Sequence, residues 1–339
     1  MTQTGYPCTN GAWSHLVAVH GTAPLSGPGA AARDLRDWRP MPIRSLVLDS
    51  PLDLGPTLAI HVHGGADPTI RVRGSEAIRT SRTPVGPATL WVAARGKRLE
   101  AEAWGPGADH LLDGLPALVG LDDDRSGFTP SHHPLIAELD RRHRGIRLGR
   151  TGAVMDALIP AILEQKVTGK EAWRGIRGMV RRWGEPAPGP FGLRLLPSPA
   201  ALAAAPYHAF HPIGIERRRA DLLRRVCDRA TRFEEIVSLP REAAYGRLRS
   251  VPGIGPWTAA EVMLRAAGDP DAVSVGDFHL PNVVAFALAG EPRADDRRML
   301  ELLEPWRGHR ARVVRLLEVS GIQPPSFGPR HATRSIAAI

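Results

Sequence analysis

The residues best suited to chemistry lie in two short segments between residues 248 and 281. In the first, a helix is predicted to end near Ser250, Val251-Pro252-Gly253-Ile254-Gly255 forms a tight turn, and a second helix begins at Pro256. The two glycines remove Cβ atoms, so the turn can approach another surface closely. The first amides of the second helix are unpaired and carry the positive end of its dipole, which suits a phosphate. A simple packing corner is the alternative, but the whole pattern favours binding of a DNA backbone.

The second segment carries one acidic residue at the start of a further helix. A short extended run, Ala272-Val273-Ser274-Val275, precedes Gly276-Asp277-Phe278-His279-Leu280-Pro281. Asp277 stands where an N-cap residue is common. Out of context, capping alone explains this residue.

Length and composition limit the class of protein. The chain has 339 residues, of which 43% are apolar and 23% charged. This mix predicts a globular protein, and the length suggests two domains. No run of eighteen apolar residues occurs, and the N-terminus lacks the pattern of a secretory signal. We therefore expect a cytoplasmic protein. Two cysteines, Cys8 and Cys227, are too few for a four-thiolate metal site or a disulfide framework.

Positive charge is concentrated in the second half of the chain. The chain contains 44 Lys and Arg against 35 Asp and Glu. Of these, 27 basic and 20 acidic side chains lie in residues 151–339. A basic domain is typical of a polyanion binder, although a solvated, arginine-rich surface would give the same count.

The elements that must position these segments fall into two classes, which predicts an α+β fold. Short alternating runs after residue 45, including 57–64, 69–74, 88–95 and 98–105, predict a small antiparallel β-sheet domain. Beyond Pro134 the apolar spacing of three and four predicts helices throughout. The expected division is a poorly ordered leader (1–44), an N-terminal β domain (45–125), an all-helical domain (130–322) and a C-terminal tail (323–339).

Residues 251–264 together with Val275-Gly276-Asp277 resemble the signature of the helix-hairpin-helix (HhH-GPD) DNA glycosylase superfamily. Three further segments are similar to it, and within it to bacterial 3-methyladenine DNA glycosylases of the AlkA type. They are residues 161–168, the early helix that carries a glutamine; 213–220, which enters the helix before the hairpin; and 304–311, which contains a Trp-Arg pair. The resemblance covers about residues 45–322.

The resemblance implies hydrolysis of the N-glycosidic bond of a damaged base that has been flipped out of duplex DNA. The sugar passes through an oxocarbenium-like state. Asp277 would be the catalytic carboxylate that stabilises this charge and orients or deprotonates water. The expected substrates are alkylated purines of the 3-methyladenine and 7-methylguanine type, which are good leaving groups because they are cationic. The expected product is an abasic site, made during base-excision repair.

The family comparison also predicts that the DNA strand is not cut. Bifunctional members carry a lysine two residues after the second hairpin glycine, where it forms a Schiff base. That position is Trp257 here, and the only lysines are Lys97, Lys166 and Lys170. We therefore expect a monofunctional glycosylase without lyase activity, with Lys166 as the one residue that would change this.

The resemblance assigns further roles by position. The expected DNA contacts are Pro252, Gly253, Ile254, Gly255, Thr258 and His279, and the expected base pocket contains Trp257, Gln165, Glu261 and Arg315. A Leu or Gln from 162–168 is expected to help fill the gap left by the extruded base. Glu261 and Arg315 stand where AlkA-type enzymes place aromatic residues, so the aromatic cage is incomplete and the substrate range stays open.

We expect no cofactor and no metal centre, although the resemblance allows a monovalent cation on the carbonyls of Arg249, Val251 and Ile254. The expected partner is double-stranded DNA containing damaged bases, bound by a monomer without a protein partner or a membrane. Two alternatives remain at this stage. One is a non-catalytic DNA-binding protein that kept the hairpin, and the other is a glycosylase for deaminated or oxidised bases.

Overall fold

The computed structural model describes residues 42–325, so the predicted leader lies almost wholly outside the described residues, as do residues 326–339 of the predicted tail. Five strands form one antiparallel sheet in the order β1-β5-β4-β3-β2. The strands are β1 (Ile43–Val47), β2 (Ile70–Arg73), β3 (Glu76–Thr83), β4 (Gly86–Arg95) and β5 (Arg98–Trp104). The expected α+β class is confirmed, whereas the domain boundaries stay a prediction.

The helices follow mostly after the sheet. They are α1 (Leu54–Leu58), α2 (Ala108–Asp113), α3 (Leu115–Leu118), α4 (Pro134–Arg142), α5 (Val154–Leu163), α6 (Gly169–Trp183), α7 (Pro199–Ala204), α8 (Tyr207–Phe210), α9 (Arg217–Cys227), α10 (Ala230–Glu234), α11 (Arg241–Arg249), α12 (Pro256–Val262), α13 (Leu280–Ala289), α14 (Asp296–Leu303) and α15 (Arg310–Ser320). In residues 42–325, no helix is long and apolar enough to cross a membrane.

Two elements of the sheet region differ from the sequence prediction. Residues 57–64, expected as a strand, contain part of α1 and a 3-10 turn at Ala59–His61. Leu54 and Leu58 lie four residues apart and are both buried against the sheet, which explains why a helix forms there. Strand β3 was not predicted because its sequence, EAIRTSRT, is rich in polar residues.

The polar residues of β3 connect the sheet to the helical part. Arg79 and Ser81 both bond the carboxylate of Asp156 in α5, and the Thr80 hydroxyl donates to the carbonyl of Arg194. The sheet is also covered on both faces: α1 to α3 pack on one, and Leu193 and Phe191 pack with Trp91 on the other. In β2 and β5, buried residues alternate with half-buried or exposed ones, so the alternation that predicts these strands is present in the structure.

Two apolar cores support the helical part. Helix α5 is buried along its length and packs against α6, α9, α10 and α12 in the first core. Helices α4, α13, α14 and α15 form the second core. The loop between α12 and α13, which carries Asp277, runs from the first core to the second.

A buried ion pair joins the last helix to the segments that follow the sheet. Arg312 of α15 donates to both oxygens of Asp123, at 2.6 and 2.8 Å, and the two side chains are 4% and 6% exposed. Asp123 also accepts the backbone N–H of Leu148. Because breaking such a pair leaves an unpaired buried charge, the loss of one partner is strongly destabilising.

We expect Asp123→Ala to lower the free energy of unfolding by about 3–5 kcal/mol. Urea unfolding followed by circular dichroism measures the change. The control is Arg297→Ala, which removes an exposed i,i+4 pair with Glu301 and should change stability by less than about 1 kcal/mol. Equal losses in the two variants would contradict the structural role of the buried pair.

Candidate active site

The hairpin is made by α11, the turn 251–255 and α12. Val251 and Ile254 are buried in the first apolar core, so their side chains anchor the turn to the protein. The Ile254 amide donates to the Val251 carbonyl. Pro252 and Gly253 are exposed at its apex. Gly253 has a φ of +106°, which favours glycine, and a Cβ there would meet Leu222 at 3.0 Å.

Two side chains hold the apex from the protein side. Gln165, in the link between α5 and α6, donates from Nε2 to the Gly253 carbonyl (3.0 Å) and to the Thr258 hydroxyl (2.8 Å). Arg225 of α9 donates to the Pro252 carbonyl at 3.1 Å. In the described chain, the amides of Gly253 and Gly255 donate to no protein acceptor, so they remain available to an external anion.

Asp277 lies beside the hairpin and is held by three N–H donors. Its Oδ1 accepts the backbone amides of His279 (2.8 Å) and Leu280 (2.9 Å) at the start of α13, and its Oδ2 accepts the indole N–H of Trp257 (3.1 Å). Asp277 therefore caps the start of α13 and also contacts the hairpin through Trp257. The carboxylate is half-buried and is fixed in one orientation, as a catalytic group requires.

The indole–carboxylate bond links the hairpin to the Asp277 loop. Trp257 is the second residue of α12, is half-buried and packs against the first core. Asp277 is 20 residues further along the chain, after a turn in which its own amide donates to the Ser274 carbonyl. The structure therefore brings together the two segments that the sequence singled out, Trp257 in one and Asp277 in the other.

Several residues with predicted contacts point inward instead. Thr258 is 2% exposed and its hydroxyl accepts from Gln165, so its side chain does not face the outer surface of the hairpin. Ile254 is also buried, which leaves only its backbone for a DNA contact. His279 is half-buried, with its ring edge-on to that of Phe278.

The monovalent cation expected on the carbonyls of Arg249, Val251 and Ile254 stays a prediction. The Val251 carbonyl already accepts a hydrogen bond from the Ile254 amide.

Glu261 and Arg315, both expected in the base pocket, lie in a buried ionic cluster. We use this name for Glu261, Arg265, Ser274, Arg315 and Glu318. Glu261 accepts from Arg265 and from the Ser274 hydroxyl, and Arg315 donates to Glu318. The charged groups are satisfied within the protein, so we interpret Glu261 and Arg315 as structural residues rather than base contacts.

The buried ionic cluster also reaches the N-terminal segment beside the sheet. Arg265 donates to the Ile60 carbonyl (2.8 Å), and Arg315 donates to the Pro56 carbonyl (3.0 Å). Arg265 lies in a π-helical turn, Met263–Ala267, that follows α12. The carbonyls of Arg265 and Ala266, at the end of this turn, accept the amides of Thr151 and Gly152.

A second buried pair was missed from the sequence. His63 Nδ1 lies 2.8 Å from Oε1 of Glu164, the residue that precedes Gln165 in the chain. Burial alone would lower the pKa of His63, but the neighbouring Glu164 carboxylate raises it above its usual value. The partners are 101 residues apart, so no local spacing signals the contact.

Comparisons with known proteins found similar sequences and similar folds. No protein-family model matches the chain. A probable bifunctional transcriptional activator/DNA repair enzyme AlkA of Mycobacterium tuberculosis is 30% identical over 201 residues, which cover 57% of this chain and 39% of that protein. A thymine/uracil-DNA glycosylase of Pyrobaculum aerophilum is 32% identical over 127 residues, 36% of this chain and 48% of that protein. The chain thus spans less than half the length of these relatives.

Solved structures share the fold. A 3-methyladenine DNA glycosylase from Archaeoglobus fulgidus has a TM-score of 0.70 at 18% identity and covers 82% of this chain and 97% of its own. An 8-oxoguanine glycosylase/lyase from Clostridium acetobutylicum, solved with double-stranded DNA, has a TM-score of 0.63 at 15% identity. The match covers 84% of this chain and 98% of that one.

The chain thus shares its fold with DNA glycosylases of known structure. The predicted resemblance to the helix-hairpin-helix (HhH-GPD) superfamily is confirmed by sequence and fold together, and within the superfamily the chain is similar to the AlkA type.

The buried ionic cluster makes stability depend on pH through Glu318. Burial, together with the charge of Glu261, raises the pKa of Glu318 to about 7 against the lowering effect of Arg315. Since folding favours the protonated acid, its contribution to the free energy of unfolding is fully present below pH 4.5 and is lost as the pH rises through about 7.

Glu318→Gln replaces this acid by a neutral group of the same shape. From pH 5 to pH 8, we expect the free energy of unfolding of the variant to rise relative to wild type by up to about 3 kcal/mol. Urea titrations at pH 5, 6.5 and 8 measure the difference, and other titrating groups cancel because both proteins contain them. Parallel pH profiles would show that Glu318 does not titrate in this range.

Proposed function

We propose that this protein is a DNA glycosylase of base-excision repair that hydrolyses the N-glycosidic bond of alkylated purines in duplex DNA. The proposal rests chiefly on the Asp277 carboxylate, fixed by three N–H donors beside a hairpin with exposed amides. The names of the relatives, AlkA and 3-methyladenine DNA glycosylase, support it. An abasic site in an uncut strand is the expected product.

Each part of the site has a role in this reaction. The hairpin amides bind a DNA phosphate without reading the sequence. The damaged nucleotide is extruded toward the protein, where Trp257 offers an indole face for a cationic base. As the bond to the base breaks, positive charge develops on the sugar, and the Asp277 carboxylate stabilises it. The carboxylate also positions the attacking water or accepts its proton.

Fixing the carboxylate matters more than its presence alone. A pre-oriented charge needs no reorganisation as the transition state forms, which is why such groups contribute strongly to rate. Trp257 and the α13 amides supply that orientation from two different elements. Movement of the hairpin relative to α13 would therefore displace the carboxylate.

Asp277→Asn tests the catalytic assignment. We expect the release of 3-methyladenine and 7-methylguanine from methylated duplex DNA to fall by at least about 100-fold, because the negative charge is lost while the size is kept. Chromatography of the released bases measures the rate. The control is Asp295→Asn, where the new amide oxygen still caps α14 and activity should be unchanged. Equal release by wild type and Asp277→Asn would place the catalytic carboxylate elsewhere.

Deaminated bases are a second candidate substrate, favoured by the similarity to a thymine/uracil-DNA glycosylase. Duplexes with a single uracil, thymine mispair or hypoxanthine decide between the classes. If no deaminated, alkylated or oxidised base is released while DNA binding is retained, the protein is a non-catalytic binder.

The C. acetobutylicum neighbour is named a glycosylase/lyase, so strand cutting requires its own test. Trp257 occupies the position of the family lysine, and Lys166 is the exposed amine nearest in sequence to Gln165. We expect no covalent complex when the wild type is treated with borohydride on abasic DNA, because no Schiff base forms. A known lysine-dependent lyase is the positive control. A trapped complex that disappears in Lys166→Arg would make the enzyme bifunctional.

A further inference from the structure

Phe278 is an exposed aromatic residue directly beside the candidate catalytic carboxylate. It is 75% exposed. The other large exposed hydrophobic residues of the described chain are aliphatic and lie elsewhere: Ile43, Val47, Val85, Leu121 and Val237. A single exposed apolar residue is common on protein surfaces, so the position of Phe278, rather than its exposure alone, gives it significance.

The turn before α13 directs neighbouring side chains in opposite directions. Gly276 has a φ of +95°, and no atom lies within 4 Å of the Cβ that another residue would place there. After this turn, the Asp277 carboxylate points inward to the α13 amides and to Trp257. Phe278 points outward, with its ring edge-on to His279 at a centroid distance of 4.9 Å. If the extruded base enters on the Trp257 side, the duplex that it leaves faces Phe278.

Extrusion of a nucleotide leaves a gap in the base stack, and proteins compensate by inserting apolar side chains. The segment 162–168 was expected to provide such a residue. Ile162 and Leu163 are fully buried there, and the amide group of Gln165 is bonded to the hairpin. The exposed side chain of that link is the charged Lys166, so the segment presents no apolar group with substantial exposure.

We propose that Phe278 inserts at this gap and stacks on a base that flanks the extruded nucleotide. The inference rests on the proposed function, because it requires a duplex with an extruded nucleotide at Asp277. The occupant of this surface is damaged duplex DNA. Stacking of a base on an aromatic side chain tolerates any base, which suits an enzyme that must act in every sequence context. Phe278 would thus hold the nucleotide out of the helix while Asp277 acts on its sugar.

The test measures binding to a duplex with one tetrahydrofuran abasic analogue and to the same duplex undamaged. We expect Phe278→Ala to bind the analogue duplex about 10- to 100-fold more weakly, with less than twofold change on undamaged DNA. Phe278→Trp should bind both duplexes like wild type. The control is Val47→Ala on the edge strand β1, which removes a comparably exposed apolar group and should change neither affinity.

A 2-aminopurine next to the analogue reports stacking directly. We expect brighter emission in complex with Phe278→Ala than with wild type, because the flanking base loses its stacking partner. Three results would overturn the inference: unchanged affinity in Phe278→Ala, an equal loss on both duplexes, or a wild type that does not prefer the analogue.

These measurements need no base release, so they separate the inference from the proposed function. Selective loss in Phe278→Ala without any released base would leave the role of Phe278 standing and refute the glycosylase activity. Base release that depends on Asp277, without a selective effect of Phe278→Ala, would do the reverse. Thermal unfolding confirms that each variant is folded.

Discussion

The buried ionic cluster around Glu261 connects the two segments that carry Trp257 and Asp277. Glu261 lies on α12 one turn after Trp257, and its partner Ser274 lies three residues before Asp277. Arg265 and Arg315 extend the cluster to the Ile60 and Pro56 carbonyls next to the sheet. Buried charges are costly unless each has its partner, so the cluster tolerates only one arrangement of these elements.

The Trp257–Asp277 hydrogen bond depends on that arrangement. Trp257 packs on the first apolar core, whereas α13, whose amides hold Asp277, packs in the second. The bond crosses the junction between the two cores and would break with a small shift of either. The apex of the hairpin is fixed by two further side chains, which donate hydrogen bonds to its carbonyls. Gln165 does so from the α5–α6 link and Arg225 from α9. The hairpin thus presents its amides outward because its carbonyls are held inward.

The replacement of expected aromatic residues by Glu261 and Arg315 changes what the base pocket contains. These side chains are satisfied by one another and by backbone carbonyls, so they leave no polar group for a base. Among the four residues expected in the pocket, Trp257 is left as the aromatic surface, since Gln165 serves the hairpin. Under the proposed function, a pocket with one aromatic face would select the base by charge and stacking more than by shape, as suits a cationic leaving group.

The class of fold, the hairpin, most helices and the candidate carboxylate could be predicted from the amino-acid sequence. The fold class, the hairpin and the helices follow from local physics: glycine and proline positions, apolar periodicity and helix starts are properties of neighbouring residues. Ser198, for example, precedes Pro199 at the first position of α7 and caps this helix, with its hydroxyl accepting the Ala201 amide. The role of Asp277 is instead what the resemblance to the glycosylase superfamily implies.

Which polar residues are buried could not be predicted from the sequence and is seen in the folded structure. Strand β3 was overlooked because its polar side chains bond Asp156 and Arg194, residues more than 70 positions away. For the same reason, Glu261 and Arg315 were placed in a pocket although their partners bury them, and the inward position of Thr258 follows from Gln165. Burial of a charged or polar side chain depends on partners distant in sequence, and no local pattern specifies them.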